Sequence, residues 1–434
     1  FFIALSLSGR FFYRKTSTLD EPFSLRWTMA AALILISSLW FGQLVQRHEG
    51  FSADLWWQAF GDSAPRSAWA MAGSVIVLAL FTLTQLFRRL FETPALPTTP
   101  DLEEVYKIAS AYPETEGYLA LLGDKKLMVN AERNAFIMYS VHGRSWVSMG
   151  DPVGPGEDER ELAWQFCRLT DKHGVRTVFY DVGEKNLPIY LDLGLKPLKI
   201  GENAKVPLSG FNPASLPDSN LKTIKERFES EGYSFEVVPK ENGVFINDEL
   251  ALVSDGWLGR KKTREKGFSV GFFDEDYINH FPIAVARKNG RIEAFAVVWP
   301  GYGKRELSAD LMRYCDTAPQ GILDYLMVNL LCWGRDEGYS FFDFGTAPLE
   351  AVWEGEYDAV WKLYRPSLFR LGANFAAFAE LRGYKEKFNP QWEPRYMLVE
   401  GAVGIPDALA DIAALIGEGL GKSRTNILKR RLLR

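Results

Sequence analysis

PIAVARKNGRIEAFAVVWPGYGKRELSADLMRY, Pro282 to Tyr314, holds three apolar or alternating runs separated by polar turns. PIAVARK, RIEAFAVVW and ELSADLMRY therefore predict three strands. GILDYLMVNLLCWGRDE (Gly321 to Glu337) predicts a helix, YSFFDFG a further strand, and another helix is expected over roughly Val360 to Leu371. The chain upstream has the same order. YLALLG, KLMVN, AFIMYSV and RSWVSMG, between Tyr118 and Gly150, predict strands. Glu157 to His173 predicts a helix: Leu162, Phe166 and Leu169 recur at helical spacing, with acids in the first turn and bases in the last. VRTVFYDV predicts a strand, NLPIYLDLGL a short helix, and KIGENAKVPL a return to extended structure.

Three or four antiparallel strands, a helix, a strand and a helix is the order of the Gcn5-type N-acetyltransferase fold. The expected class is α/β (α+β), with tandem Gcn5-type N-acetyltransferase-like domains preceded by transmembrane helices. No fixed-period repeat accompanies the duplication.

The membrane reading rests on two runs. Thr28 to Val45 is eighteen residues without a charge, and Ala68 to Phe87 is twenty, with aromatic residues near both ends. The opening FFIALSLSG, which lacks an initial Met, reads as the tail of an earlier span in a longer protein. Arg10, Arg14, Lys15 and Arg26 precede the first run, and Arg88 and Arg89 follow the second. The loop between the runs has only Arg47 and Arg66, beside Glu49, Asp54 and Asp62. This asymmetry predicts that everything after Arg88 lies in the cytoplasm. TPALPTTP, with three prolines and no charge, predicts a stiff extended spacer.

The 434 residues are 24% charged and 47% hydrophobic, which excludes a disordered or collagen-like chain. Three dispersed cysteines (Cys167, Cys315, Cys332) exclude a disulfide framework and fit a reducing compartment. The four histidines lack metal-ligand spacing and there is no CxxC, so neither a metal site nor a cofactor is expected. A coenzyme A pyrophosphate would need free backbone N–H groups at a helix start. GDPVGPGEDEREL, Gly150 to Leu162, has the glycines, but two prolines remove donors and Glu157, Asp158 and Glu159 repel an anion. APQG before Ile322 is also a poor cradle.

Bases cluster despite a net charge of −5. They are Arg260, Lys261 and Lys262 in RKKTREK; Lys422, Arg424, Lys429, Arg430 and Arg431 in the tail; and Lys222, Lys225 and Arg227 in LKTIKERF. Solvated faces, anionic lipid headgroups or a polyanion such as RNA all suit them. No RNP1 motif is present. Asp310 and Arg313 share a predicted strand at an odd spacing. A bulge, twist or strand end is needed to bring them to one face, and a structural ion pair is the plainer alternative. Lys385 and Lys387 stand in GYKEKFNPQWEPRY, which predicts a Gly- and Pro-punctuated loop.

SADLMRY, PQGILDYL, FFDFGTAPL and LRGYKEKFNPQWEPRY, with GDPVGP, IYLDLGL, KIGENAKVPL and SDGWL upstream, resemble the phosphatidylglycerol lysyltransferase family. Its members are also called multiple peptide resistance factors or aminoacyl-phosphatidylglycerol synthases. The resemblance covers residues 101–405 and implies transfer of an aminoacyl group from charged tRNA to a glycerol hydroxyl of phosphatidylglycerol. It further implies a basic helix bridging two acyltransferase halves, an N-terminal flippase domain of the same protein, a bacterial inner-membrane location with cytoplasmic catalytic domains, and resistance to cationic antimicrobial peptides. A homodimer through the membrane spans stays open.

On this reading, residues 1–93 are the last spans of a larger membrane domain and 94–100 a linker. Residues 101–217 form the first acyltransferase-like domain, 218–232 the bridging helix, 233–400 the second, catalytic domain, and 401–434 an amphipathic and basic tail. Asp310, Arg313 and Lys385 match the family's functional Asp, Arg and Lys, with Lys387 a near neighbour. Arg313 or Lys385 could hold the terminal phosphate of tRNA or the developing negative charge. Asp310 could bind the α-ammonium, orient Arg313 or accept the hydroxyl proton, and pairing with Arg313 would make it a weak base. A lysyl substrate calls for an acidic pocket, for which Asp324 and Glu293 are the candidates. Alanyl transfer, a coenzyme A-dependent N-acetyltransferase and a membrane-tethered RNA- or lipid-binding module are the rival readings. The tail helix near Pro406 to Leu420, with Leu409, Ile412, Ala413, Ile416 and Leu420 on one face, could pack on the core or lie on the membrane.

Overall fold

The computed structural model describes residues 94–261, 265–348, 375–401 and 404–417. The two uncharged runs, the helix expected near Val360 to Leu371 and the basic end of the tail lie outside these residues. No helix among the described residues is long and apolar enough to cross a membrane.

Helix α1 (Thr99–Ala109) opens the first half and begins where the sequence predicts the end of the spacer. Strands β1 (Lys126–Val129), β2 (Phe136–His142) and β3 (Ser145–Met149) form an antiparallel meander. Helix α2 (Gly156–His173) crosses to β4 (Arg176–Gly183), which lies parallel to β3. Three acids in the first turn of α2 and Lys172 and His173 in its last complement the helix dipole, and Leu162 and Phe166 face the sheet. Helix α3 (Leu187–Asp192) and β5 (Lys196–Pro207) follow.

The second half contains α4 (Ser219–Ser230), β6 (Tyr233–Val238) and α5 (Asn247–Lys261), then the meander β7 (Ile283–Lys288), β8 (Arg291–Pro300) and β9 (Glu306–Tyr314). Helix α6 (Ile322–Asp336) crosses to β10 (Phe341–Pro348), parallel to β9. The motif of meander, helix and parallel strand thus occurs twice. Helix α7 (Phe375–Glu386), β11 (Gln391–Val399) and α8 (Ile405–Gly417) complete the described chain.

Among the described residues eleven strands join one sheet, in the order β1-β2-β3-β4-β11-β5-β10-β9-β8-β7-β6. Pairing does not follow chain order at the centre, where β11 lies between β4 and β5, and β5 pairs with β10. On one face, Ala284, Ala286, Ala294 and Ala296 leave room for the large residues of α6 and α4. There the Phe228 and Tyr325 rings stack at 4.9 Å. On the other face, Val105, Tyr118 and Val147 of the first half share a core with Phe295, Val297 and Leu311 of the second.

Several expectations change. YLALLG is not a strand but part of a 3₁₀ helix, Glu116–Leu122, capped by Gly123 at φ 67°. A short run that is apolar on every side carries no period to separate the two forms, and Gly117 through Leu122 are all buried. GYKEKFNPQWEPRY is not a loop: it ends α7 and enters β11. Pro394, inside β11, sits beside a register irregularity at Arg395/Tyr396, where a missing ladder N–H is tolerated. Helix α8 packs on the first half, with Ile405, Ala408 and Ile412 buried. Ser145 and His142 contact the Asp411 carboxylate at 2.6 and 3.0 Å, and Arg176 reaches Asp407 at 2.8 Å.

Candidate active site

The odd spacing of Asp310 and Arg313 is resolved by a β-bulge. Across β8 and β9, Arg313 pairs with Phe295 and Asp310 with Val297, so three residue steps on β9 oppose two on β8. Leu311 takes φ 47° and turns into the core with Phe295 and Val297, whereas Ala309 and Met312 pack on the opposite face. Asp310, Leu311 and Arg313 therefore share one face.

Asp310 accepts hydrogen bonds from Tyr277 Oη (2.7 Å) and the Gly271 N–H (3.1 Å), and Tyr277 Oη in turn accepts from Trp299 Nε1 (2.9 Å). A Cβ at residue 271 would stand 1.7 Å from Asp310 Oδ2, so only glycine fits. Burial raises the Asp310 carboxyl above its ordinary range, against the pull of the Tyr277, Leu311 and Gly271 hydrogen bonds and the charge of Lys125. Arg313 does not pair with Asp310. Its Nη2 donates to Glu265 Oε2 at 2.7 Å and its guanidinium lies 3.9 Å from the Trp257 ring centroid. The side chain is 7% exposed, and Nε has no hydrogen-bond partner among the described residues. Lys125 is fully buried, donating to Asp124 Oδ1 (2.7 Å) and the Leu119 carbonyl (3.1 Å). Asp124 also accepts from the Phe268 N–H at 2.9 Å.

A second cluster occupies the central strands. Asp343 on β10 pairs with Ser308, two residues before Asp310, so the backbone positions of the two acids are offset by about 6.6 Å along a strand and about 4.8 Å across one. Lys385, at the end of α7, donates to the Gly345 carbonyl at 2.8 Å. Burial lowers its ammonium to about 8, while Asp343 and Asp181 oppose that shift. Asp343 accepts from Asn203 Nδ2 (2.7 Å) and the Gly345 N–H (2.6 Å). Asp181, held at φ 67°, accepts from Thr346 Oγ1 at 2.7 Å. Arg395 of β11 donates to the Asp181 carbonyl at 3.1 Å and lies 3.5 Å from Glu116 Oε2. Burial opposes the charge of Arg395, yet Glu116, Asp181, Asp343 and Asp151 raise it above the usual guanidinium value. Burial likewise pushes the Glu116 carboxyl well up, with Arg395 pulling it down. Two buried acceptors, Asn203 Oδ1 and Glu116 Oε1, have no hydrogen-bond partner among the described residues.

The other sequence candidates lie elsewhere. Asp324 is 3.4 Å from Lys387, and Glu293 accepts from Thr317 Oγ1 at 3.3 Å. Among the described residues, no hydrogen bond or ion pair joins either acid to Asp310, Arg313 or Lys385. Lys222 and Lys225 are exposed on α4, Arg227 donates to the Gln320 carbonyl at 3.2 Å, and Arg260 lies 3.3 Å from Asp316. The side chain of Lys261, and Lys262, Lys422, Arg424, Lys429, Arg430 and Arg431, fall outside the described residues. Lys125, Trp257, Glu265, Tyr277 and the acids of the second cluster escaped the sequence reading. They come from segments far apart in the chain, and no local spacing marks them.

The family model for the C-terminal part of phosphatidylglycerol lysyltransferase matches residues 106–399. The phosphatidylglycerol lysyltransferase of Bacillus subtilis is 34% identical over 304 residues, covering 69% of this chain and 35% of that protein. That of Staphylococcus aureus (strain MRSA252) is 28% identical over 407 residues, covering 93% and 48%. The chain therefore spans between a third and a half of these relatives. The crystal structure of the C-terminal domain of a putative lysylphosphatidylglycerol synthetase from Agrobacterium fabrum matches with 38% identity and a TM-score of 0.66, covering 74% of this chain and 98% of that one. The L-PGS structure from Bacillus licheniformis matches with 34% identity and a TM-score of 0.67, covering 75% and 99%. The chain belongs to the phosphatidylglycerol lysyltransferase family and matches its C-terminal part.

Proposed function

We propose that the chain transfers a lysyl group from lysyl-tRNA to a glycerol hydroxyl of phosphatidylglycerol, at the cytoplasmic face of a bacterial inner membrane. The reaction exchanges one ester for another: the glycerol oxygen bonds to the aminoacyl carbonyl carbon, the ribose oxygen leaves, and the hydroxyl proton ends on that ribose oxygen. Such a step depends on bringing two reactants together away from water and on donors aimed at the developing oxyanion. The observation that carries this reading is the pair of adjacent buried polar clusters, one with a spare N–H donor at Arg313 Nε and one with spare acceptors at Asn203 and Glu116.

In this reading Arg313 Nε supplies the donor for a phosphate or the oxyanion. Asp310 orients the hydroxyl and accepts its proton in passing. Its carboxyl, raised by burial and hydrogen-bonded to Tyr277 rather than to Arg313, makes it a better base than pairing with Arg313 would. The acids Asp343, Asp181 and Glu116 receive the ammonium of the aminoacyl group, in place of Asp324 and Glu293. The exposed bases of α4 meet the tRNA backbone, through charge rather than sequence.

The test supplies the 434-residue chain with phosphatidylglycerol vesicles and radiolabelled lysyl-tRNA or alanyl-tRNA in parallel. Label entering lipid from lysyl-tRNA alone is the expected result. Label from alanyl-tRNA would keep the chemistry and change the amino acid, and label from neither would remove the transferase reading.

A further inference from the structure

Helix α5 has apolar side chains on two opposite sides. Leu250 and Val253 enter the core that joins the halves, and Trp257 lies against the Arg313 guanidinium. The other side is open: Leu252 is 73% exposed. The one-turn segment that leads into α5 leaves Val244 and Phe245 61% and 84% exposed. Phe245 and Leu252 are seven residues apart, two helical turns, and so stand on one side. Three large apolar side chains grouped this way mark a contact surface rather than scattered surface residues.

We propose that this outer side of α5, Val244, Phe245 and Leu252, inserts into the surface of a lipid bilayer and seats the catalytic face against its lipid substrate. The inference rests on phosphatidylglycerol being the acceptor. Two further observations favour a bilayer over a protein partner. First, the N-terminal residues outside the described structure end at Thr93, and only Pro94 to Thr98 intervene before α1. That spacer extends about 17 Å at most. The segment bearing the patch is fastened to α1, for Lys240 Nζ donates to Tyr106 Oη at 3.3 Å. The patch is thus tied to the helix that directly follows the spacer. Second, the same helix reaches the reaction site from its inner side through Trp257. Asp248 and Asp255 are also exposed on α5, so the contact depends on burying apolar side chains and not on attraction to anionic headgroups.

The test places an environment-sensitive fluorophore on the full chain at Phe245→Cys, Leu252→Cys and, as a control in the first half, Asp192→Cys. Each is reconstituted in phosphatidylglycerol and in neutral phosphatidylcholine vesicles containing doxyl-labelled lipid, with labelling of the unsubstituted chain subtracted. Quenching at 245 and 252 several-fold stronger than at 192, in both lipids and at high salt, is expected; equal quenching at all three overturns the proposal. The double variant Phe245→Ser/Leu252→Ser should raise the apparent KM for vesicle phosphatidylglycerol about tenfold, with transfer to a short-chain, monomeric phosphatidylglycerol unchanged. Equal loss with both acceptors, or loss of self-association without lipid quenching, would assign the patch to the fold or to a second copy. Strong quenching in a chain that transfers no label would keep this inference and remove the transferase reading alone.

Discussion

The two buried polar clusters differ in how their charges are met. Around Asp310 and Arg313 the carboxylates of Asp310, Asp124 and Glu265 each have donors, and among the described residues a guanidinium N–H of Arg313 is left over. Around Lys385 the balance is reversed. Glu116, Asp151, Asp181 and Asp343 face Arg395 and Lys385, and two acceptor atoms are left over. Buried polar atoms are rarely left unpaired in a region with only a packing role. On the proposed function, the first cluster positions the reactants with one donor to offer, and the second receives a cation.

Arg313→Ala should break this comparison most severely. It leaves Glu265 buried without its guanidinium, so stability should fall by about 3–5 kcal/mol, read from the denaturation midpoint. Transfer should fall by roughly a hundredfold or more. Arg313→Ala/Glu265→Ala should regain most of the stability and none of the transfer. Recovery of both would reduce Arg313 to a structural role.

Lys385→Met should have the opposite profile: transfer falls by roughly tenfold or more, while stability holds or rises because a desolvated ammonium is removed. Its pH signature follows from the shift. The folded-state value of about 8 lies below the ordinary 10.5, so the unfolded chain holds more protons between these values. Stability contributed by Lys385 therefore rises as pH climbs through that window, and Lys385→Met should flatten the rise. Transfer that depends on the cation should decline above pH about 8, as the group with that value loses its proton. A wild-type rate unchanged to pH 10 would show that the charged form is not required.

These effects trace to features that were unequally legible in the sequence. The repeated order of meander, helix and strand could be read because each element carries its own period, and the odd spacing of Asp310 and Arg313 already demanded a bulge. The central strand order could not be read, since β11 joins the first half's strands only through tertiary pairing. Lys385 looked like a loop lysine because Gly383 and Pro390 flank it, and burial by distant strands decided otherwise. The alternative of an ion pair between Asp310 and Arg313 is not realised, because Glu265, from a segment 48 residues upstream of Arg313, takes the guanidinium.

Tyr277→Phe probes the first cluster more gently. It deletes the 2.7 Å hydrogen bond to Asp310 and leaves Trp299 Nε1 without its acceptor, at a cost of about 1–2 kcal/mol. That bond lowers the Asp310 carboxyl, so its loss should raise it further and move the acidic limb of the transfer profile to higher pH. A fall in rate at every pH alike would mean that Tyr277 only holds the loop in place.

Lys387→Ala should have the smallest effect, and it separates Lys385, which matches the family's lysine, from its near neighbour. Lys387 is 33% exposed, lies 3.4 Å from Asp324 and stands near the Tyr384 ring. An ion pair that open to water contributes about 1 kcal/mol or less. Lys385 lies instead among the acids of the central strands, where burial makes its charge costly to hold. Transfer by Lys387→Ala should stay within about twofold of the parent rate, and Asp324→Asn should match it, since the pair is one interaction counted from two ends. If Lys387→Ala lost as much as Lys385→Met, the spare acceptors at Asn203 and Glu116 would no longer mark the site, and the cation would have to be received at the rim formed by Asp324 and Lys387.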